Sequence, residues 1–320
     1  MNSSLSLIDL HLPEISQRVS IVGGEGFYFD DVWFNLKDSL PFGDVKLELS
    51  KSIQHLIDEL AKRLYLRLFC GLDQSHNDST LPLLKERQEF MDRLSQANHA
   101  AKTPDRDWQM VDTDDFGLSY AEKNGIRRPM LPGTFTLQKE QPNWVDFIRT
   151  GEDRERDPNA YHALSNAYFH SNFPQICFYW NVTHDGVFPL LEAISSSLNF
   201  YKIPYRFKCP NHPELYNRYD SAMLFVNRQS QNLVNRLLAT VNDQIAGALS
   251  EHIPLFTTRL AKGLSMSEVP VSELSYGKYM MQQVAERLVA EAIWGKESQS
   301  ETLSVGTREK MRRGKGLILS

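Results

Sequence analysis

Cysteine is scarce in this chain. Its 320 residues hold three, Cys70, Cys177 and Cys209, odd in number and far apart. There is no Cys-x-x-Cys pair, so neither a zinc site nor a disulfide framework is expected, and a reducing cytoplasmic setting suits the count. Apolar runs are short as well. None reaches the roughly 20 residues of a membrane helix, and the first ten residues lack the basic-then-apolar order of a secretory signal. The Ser-rich opening, Met1 to Leu10, reads as disordered polar chain or as an unfolded secretion signal of another kind. Basic charge is not in excess either: the formal net charge is -5. The surface as a whole therefore attracts no nucleic acid, no membrane partner is expected, and any basic site must be local. Glycine gives no phosphate loop. Gly23, Gly24 and Gly26 lack both the Lys-Ser/Thr ending of a P-loop and the GxGxxG spacing, so a turn between short elements is expected.

What is present is enough for a packed core: hydrophobic residues make up 41% and charged residues 23%, in a length that suits one large domain or two. Ile53, Leu56, Ile57, Leu60 and Leu64 recur at helical spacing, which predicts a helix over Ser52–Phe69 with Ser52 as N-cap and Gly71 at its end. A second helix is expected from about Leu83 to His99. Val111 to Leu137 reads as short strands around turns at Asn124-Gly125 and Pro132-Gly133. The run GEDRERDP, 151–158, reads as a solvated surface loop. Beyond it the pattern predicts strands over Ile176–Val182, Tyr201–Cys209 and Tyr219–Val226, with a helix at Val187–Phe200 after the first. Long amphipathic helices follow at Asn227–Ser250 and Ser272–Trp294. The expected fold class is α+β, a small, mostly antiparallel sheet packed with amphipathic helices. It divides into a mostly helical N-terminal portion with short strands (1–150), an α+β core (151–296) and a polar, flexible tail (297–320).

Alternation along strands puts Arg206 and Lys208 on one face, Cys177, Tyr179 and Asn181 on one face, and Arg218 and Asp220 on another shared face. If the three strands pair, two arginines, a lysine, a tyrosine and an asparagine converge, a cradle for a phosphate or carboxylate. Crowded cations would also favour the neutral form of Lys208, which can then accept a proton. Plainer roles stand beside these: strand cations facing solvent, Asp220 paired with Arg218, Asn181 bonding nearby backbone. His162 and His170 flank the first strand, as acid candidates, peptide contacts or packed rings; His170 is the favoured acid of the two. His212, between Pro210 and Pro213, orders a loop beside the site.

The run from Cys177 to Lys208, followed by Tyr216-Asn217-Arg218-Tyr219-Asp220-Ser221, resembles the core of the HopA-type effector domain. The strings PLFTTRLAKGL from Pro254 and ELSYG from Glu273 extend the likeness over about 160–295, with a weaker echo back to about residue 50. That family occurs among bacterial type III secretion effectors and in class V lanthipeptide and thioamitide pathways, where members resemble the lyase half of a kinase–lyase pair. More distantly the domain is similar to phosphothreonine lyases. The resemblance implies a lyase that eliminates phosphate from phosphoserine or phosphothreonine of a precursor peptide, leaving a dehydroamino acid. Its partners would be the phosphorylated precursor peptide and a separate Ser/Thr kinase, and it implies no cofactor and no metal. By position, Lys208 matches the general base, Tyr179 the general acid with His170 in reserve, and Arg218 a phosphate ligand. The family pattern would place further arginines at Cys177 and near Met280; Arg206 and Lys278 are the substitutes at hand. Asn181, Asp220 and His212 are left as peptide contacts. The missing arginines keep open a second reading, a non-catalytic protein that binds a peptide or a host protein, as a secreted effector or a degenerate pathway member.

Overall fold

The structure is a computed structural model that describes residues 2–39, 49–72, 84–169 and 173–295. His170 and the tail beyond residue 295 lie outside the described residues. The helices are α1 (Asn2–Arg18), α2 (Leu49–Leu64), α3 (Leu84–Ala97), α4 (Val187–Phe200), α5 (Gln231–Gln244) and α6 (Tyr276–Trp294). The chain forms two compact units, and the division does not fall near residue 150. One comprises Met1–Asn77, Pro254–Thr257 and Val269–Ser320; the other comprises Asp78–Ile253 and Thr258–Glu268.

The first unit is built on helices. The opening is not disordered: Ile8, Leu12 and Ile15 recur at helical spacing and are buried on α1, a stripe that the surrounding serines conceal. An antiparallel meander follows, β1 (Val19–Val22), β2 (Gly26–Phe29) and β3 (Val32–Asn35), so the glycines do turn between short elements. On α2 the expected stripe Leu56, Ile57, Leu60 and Leu64 is buried. Ser52 sits inside the helix, which starts at Leu49, and does not cap it. A π turn, Tyr65–Phe69, ends α2, and Gly71 takes a left-handed φ of 72° just beyond, the conformation that favours glycine. On α6, Met280, Met281, Val284 and Val289 are buried. Gly277 lets the Phe69 ring lie against that helix: a Cβ there would stand 2.6 Å from a ring carbon.

The second unit holds two antiparallel sheets. In chain order, β4 (Thr103–Thr113), β5 (Ser119–Lys123), β6 (Ile126–Pro129), β7 (Phe135–Leu137) and β8 (Trp144–Arg149) form one, ordered β6-β5-β4-β8-β7. Its small core is Trp108, Ala121, Met130, Val145 and Phe147.

The other has seven strands: β9 (Glu152–Asp153), β10 (Ala160–Leu164), β11 (Gln175–Trp180), β12 (Tyr205–Pro210), β13 (Ala222–Asn227), β14 (Thr258–Ala261) and β15 (Leu264–Glu268). They run in the order β14-β15-β11-β13-β12-β10-β9. The α+β class stands, with a larger sheet than the small one expected. Alternate residues Tyr161, Ala163, Phe178, Trp180, Tyr205, Phe207 and Leu224 pack with Leu190, Leu191, Ile194 and Leu198 of α4 and with Val234 and Leu238 of α5. Each such fully buried large side chain contributes about 1.5–3 kcal/mol. Because one face is committed to this core, the register is fixed and the intervening residues must point the other way. That second face carries the chemistry. The helix Val187–Phe200 has the expected bounds, whereas β12 starts only after Pro204 and α5 stops at Gln244, short of Ser250.

Candidate functional site

Antiparallel pairing lines up Asp153, His162, Lys208, Met223, Tyr179, Ser265 and Arg259 in one row across all seven strands. The adjacent row runs Leu164, Arg206, Phe225, Cys177 and Ser267. The three strands singled out from the sequence do pair, but β13 lies between β11 and β12. Tyr179 and Lys208 are thus two strand spacings apart, roughly 10 Å between backbones. His162 is directly opposite Lys208.

Lys208 does not meet only cations. Its ammonium donates to Asp157 Oδ2 at 2.6 Å, and both side chains are about a third exposed. Burial works to raise the Asp157 carboxyl, yet hydrogen bonds from Lys208 and the Asn159 amide, with the lysine charge, hold it below the usual range. Asp157 belongs to the charge run 151–158, which is no plain solvated loop. Glu152 and Asp153 form β9, and Arg154 donates to Glu152, Asp92 and Ser95. Glu152 also accepts from the Tyr161 hydroxyl at 2.7 Å and from Ser95.

His162 is 5% exposed, and neither ring nitrogen has a hydrogen-bond partner among the described residues. Burial, then the charges of Lys208, Arg156 and Arg206, push its pKa down to about 4 against the opposing pull of Asp157. The ring is neutral at pH 7. Arg206 is also lowered, by burial and by Arg156. Its guanidinium lies 4.5 Å from the Phe225 ring centroid and 5.9 Å from that of Phe169, a face-on placement that offsets part of its desolvation. The Cys177 thiol is pushed far up by burial, so it is not a thiolate nucleophile.

The other expected residues are placed as follows. Arg218 and Asp220 precede β13 and form a bidentate pair, Nε to Oδ1 at 2.5 Å and Nη2 to Oδ2 at 2.9 Å. The Asp220 side chain is 1% exposed. Asp220 therefore anchors Arg218, the plainer of its two readings. Asn181 donates to the His252 carbonyl at 3.1 Å, and the His252 ring stacks on Tyr219. The Tyr179 hydroxyl lies 3.1 Å from Ser267 Oγ. His212 caps the short turn Pro213–Tyr216 by accepting from the Glu214 amide at 3.3 Å, and its Nε2 is 3.4 Å from Glu86. Lys278 belongs to the other unit, on α6, with its ammonium 5.8 Å from the Tyr65 ring centroid. Arg206 and Lys208 are thus together on one face, joined by His162, the less favoured of the two histidine candidates, and by two residues outside the expected set, Arg156 and Asp157. His162 was legible as the outward residue of Tyr161-His162-Ala163, whereas the two loop residues follow no periodicity that would mark them.

Stability should fall as the pH drops from about 6.5 to about 4. Unfolded chain takes up the His162 proton near its ordinary value, and folded protein only near 4. Between the two, the unfolded state binds more protons, so the folded state gains as pH rises and loses as it falls. Urea midpoints measured across that window should slope accordingly, and His162→Gln should flatten the slope.

Among the described residues, no group of three or more His, Cys, Asp or Glu could hold a metal ion, and no helix is long and apolar enough to cross a membrane. No curated protein matches the chain. Two effector proteins of Pseudomonas syringae are similar among solved structures. That of pathovar tomato strain DC3000 has a TM-score of 0.46 at 12% identity, covering 90% of this chain and 88% of that one. That of pathovar syringae strain 61 has a TM-score of 0.41 at 12% identity, covering 77% and 93%. Residues 152–310, which include the whole polar face from β9 to β15, match the HopA1 effector protein family, and through this segment the chain belongs to that family.

Proposed function

We propose that this effector-family protein is a phosphate lyase, acting on phosphoserine or phosphothreonine of a peptide by β-elimination. The observation that supports the reading best is the alignment of His162, Lys208 and Tyr179 in one row of the polar face, with Arg206 in the next. An amide Cα–H is a very weak acid, so elimination needs a close base, charge stabilisation of the enolate and a proton for the leaving oxygen. In this reading the Lys208 amine takes the Cα proton. The electron pair becomes the Cα=Cβ bond as Cβ–O breaks, and phosphate leaves with the bridging oxygen. Arg206 and Arg156 strengthen their hold as charge builds on it. His162 is neutral in the free protein, but a phosphate dianion beside it favours the imidazolium, which then protonates the leaving oxygen. Tyr179 donates to the carbonyl of the residue losing its proton. A separate kinase would install the phosphate on the precursor peptide.

The test is incubation with a phosphothreonine peptide. Expected is a mass loss of one phosphoric acid, with a product that adds a thiol across its new double bond. An unchanged peptide that nonetheless binds would leave the non-catalytic reading, which the ion pairs on Lys208 and Arg218 favour.

A further inference from the structure

We propose that Asp157 is an internal occupant of the anion seat, a carboxylate latch on Lys208 that an incoming phosphoryl group must displace. The inference deepens the lyase reading by assigning a residue that gates its site, and it concerns binding, so it can be tested apart from the chemistry.

The seat is defined by side chains that lack the partners their chemistry wants. His162 is buried, and among the described residues neither ring nitrogen has a partner. Among the described residues the buried Arg206 Nε has no hydrogen-bond partner, and neither Arg206 nor the exposed Arg156 is in an ion pair. Buried polar groups left unsatisfied are costly, so a site with several of them is built to be completed by something. The charges say what that is. Lys208, Arg156 and Arg206 act on His162 as cations, and Asp157 opposes them. Two carboxylates face three cations: Asp153, opposite His162, accepts from the Glu155 and Arg156 amides, and Asp157, with its single charge, pairs with Lys208. A phosphate monoester brings a second charge and a third terminal oxygen, and guanidinium groups grip such oxygens in pairs.

Asp157 is suited to leave. It stands on the connection between β9 and β10, where its other oxygen accepts from the Asn159 amide at 3.0 Å. Its side chain and that of Lys208 each keep 30% exposure, so the carboxylate can return to water at little cost. While it is in place, Asp157 occupies the Lys208 ammonium. Substrate entry would thus fill the seat and part the Lys208 amine from its carboxylate partner.

Inorganic phosphate is the probe, because it cannot undergo elimination. Calorimetric titration should show it binding to the full chain, with binding to Asp157→Asn tighter by about two- to fivefold, the span of one partly exposed ion pair. In the unaltered protein, phosphate should move the His162 imidazole titration, followed by NMR, upward from its low value. Equal affinity in the two proteins, or a His162 titration indifferent to phosphate, overturns the latch. Phosphate binding tightened by Asp157→Asn without any elimination from phosphopeptide would keep the latch and reject the lyase. Elimination with no change in phosphate affinity would do the reverse.

Discussion

Arg218→Ala should destabilise the fold by about 3 kcal/mol, the low end of what breaking a buried ion pair costs. The asymmetry of the pair sets this figure. Asp220 is 1% exposed and Arg218 27%, so the carboxylate is the partner that water does not reach. Taking away the guanidinium removes two charge-assisted hydrogen bonds at 2.5 and 2.9 Å from that carboxylate and leaves its charge in a poorly solvated place. The double variant Arg218→Ala with Asp220→Asn should recover part of the loss, because the stranded charge goes with its partner. Urea unfolding at pH 7 measures both. The outcome bears on function, since loss of activity in Arg218→Ala would follow from a damaged fold. A stability change under about 1 kcal/mol together with lost phosphopeptide binding would instead make Arg218 a direct substrate ligand.

Local periodicity made much of this legible and non-local pairing limited the rest. The helix Val187–Phe200 was readable to both ends because its apolar stripe and the preceding Asp185-Gly186 turn are local signals. The shared face of Arg206 and Lys208 was readable because a strand has a period of two. That β13 lies between β11 and β12 was not, since strand order is decided by packing between distant segments. Asp220 was expected on a strand starting at Tyr219, with Arg218 just before it, but the strand begins at Ala222. Their alternation therefore carried no information about facing Lys208. The charge run 151–158 misled for a related reason: a charged loop is usually solvated, and only the fold reveals that Asp157 has a lysine opposite and Arg154 a buried tyrosine's carboxylate partner, Glu152. The helix at the opening was hidden by serine-rich composition, although Ile8, Leu12 and Ile15 already had the spacing.

If the protein is the proposed lyase, Lys208→Ala is expected to slow phosphate elimination by about 10²–10⁴-fold, the usual worth of a general base, while changing stability by less than about 1 kcal/mol. The two halves of that expectation separate it from Arg218→Ala. Lys208 and Asp157 each keep 30% exposure, so loss of one lets the other turn to solvent, unlike the enclosed Asp220. Lys208→Arg should be no rescue, since a guanidinium keeps its charge and cannot accept the proton. His162→Gln supplies the complementary measurement. If His162 protonates the leaving oxygen, that variant should lose its rate on a phosphopeptide, yet lose much less on a substrate whose leaving group departs without a proton, such as an aryl ether at the same β-carbon. Lys208→Ala should fail on both, because each requires the Cα proton to be taken. A Lys208→Ala protein that is stable and still eliminates phosphate at the original rate would remove the amine from the chemistry and leave the polar face as a place where a phosphorylated peptide is held.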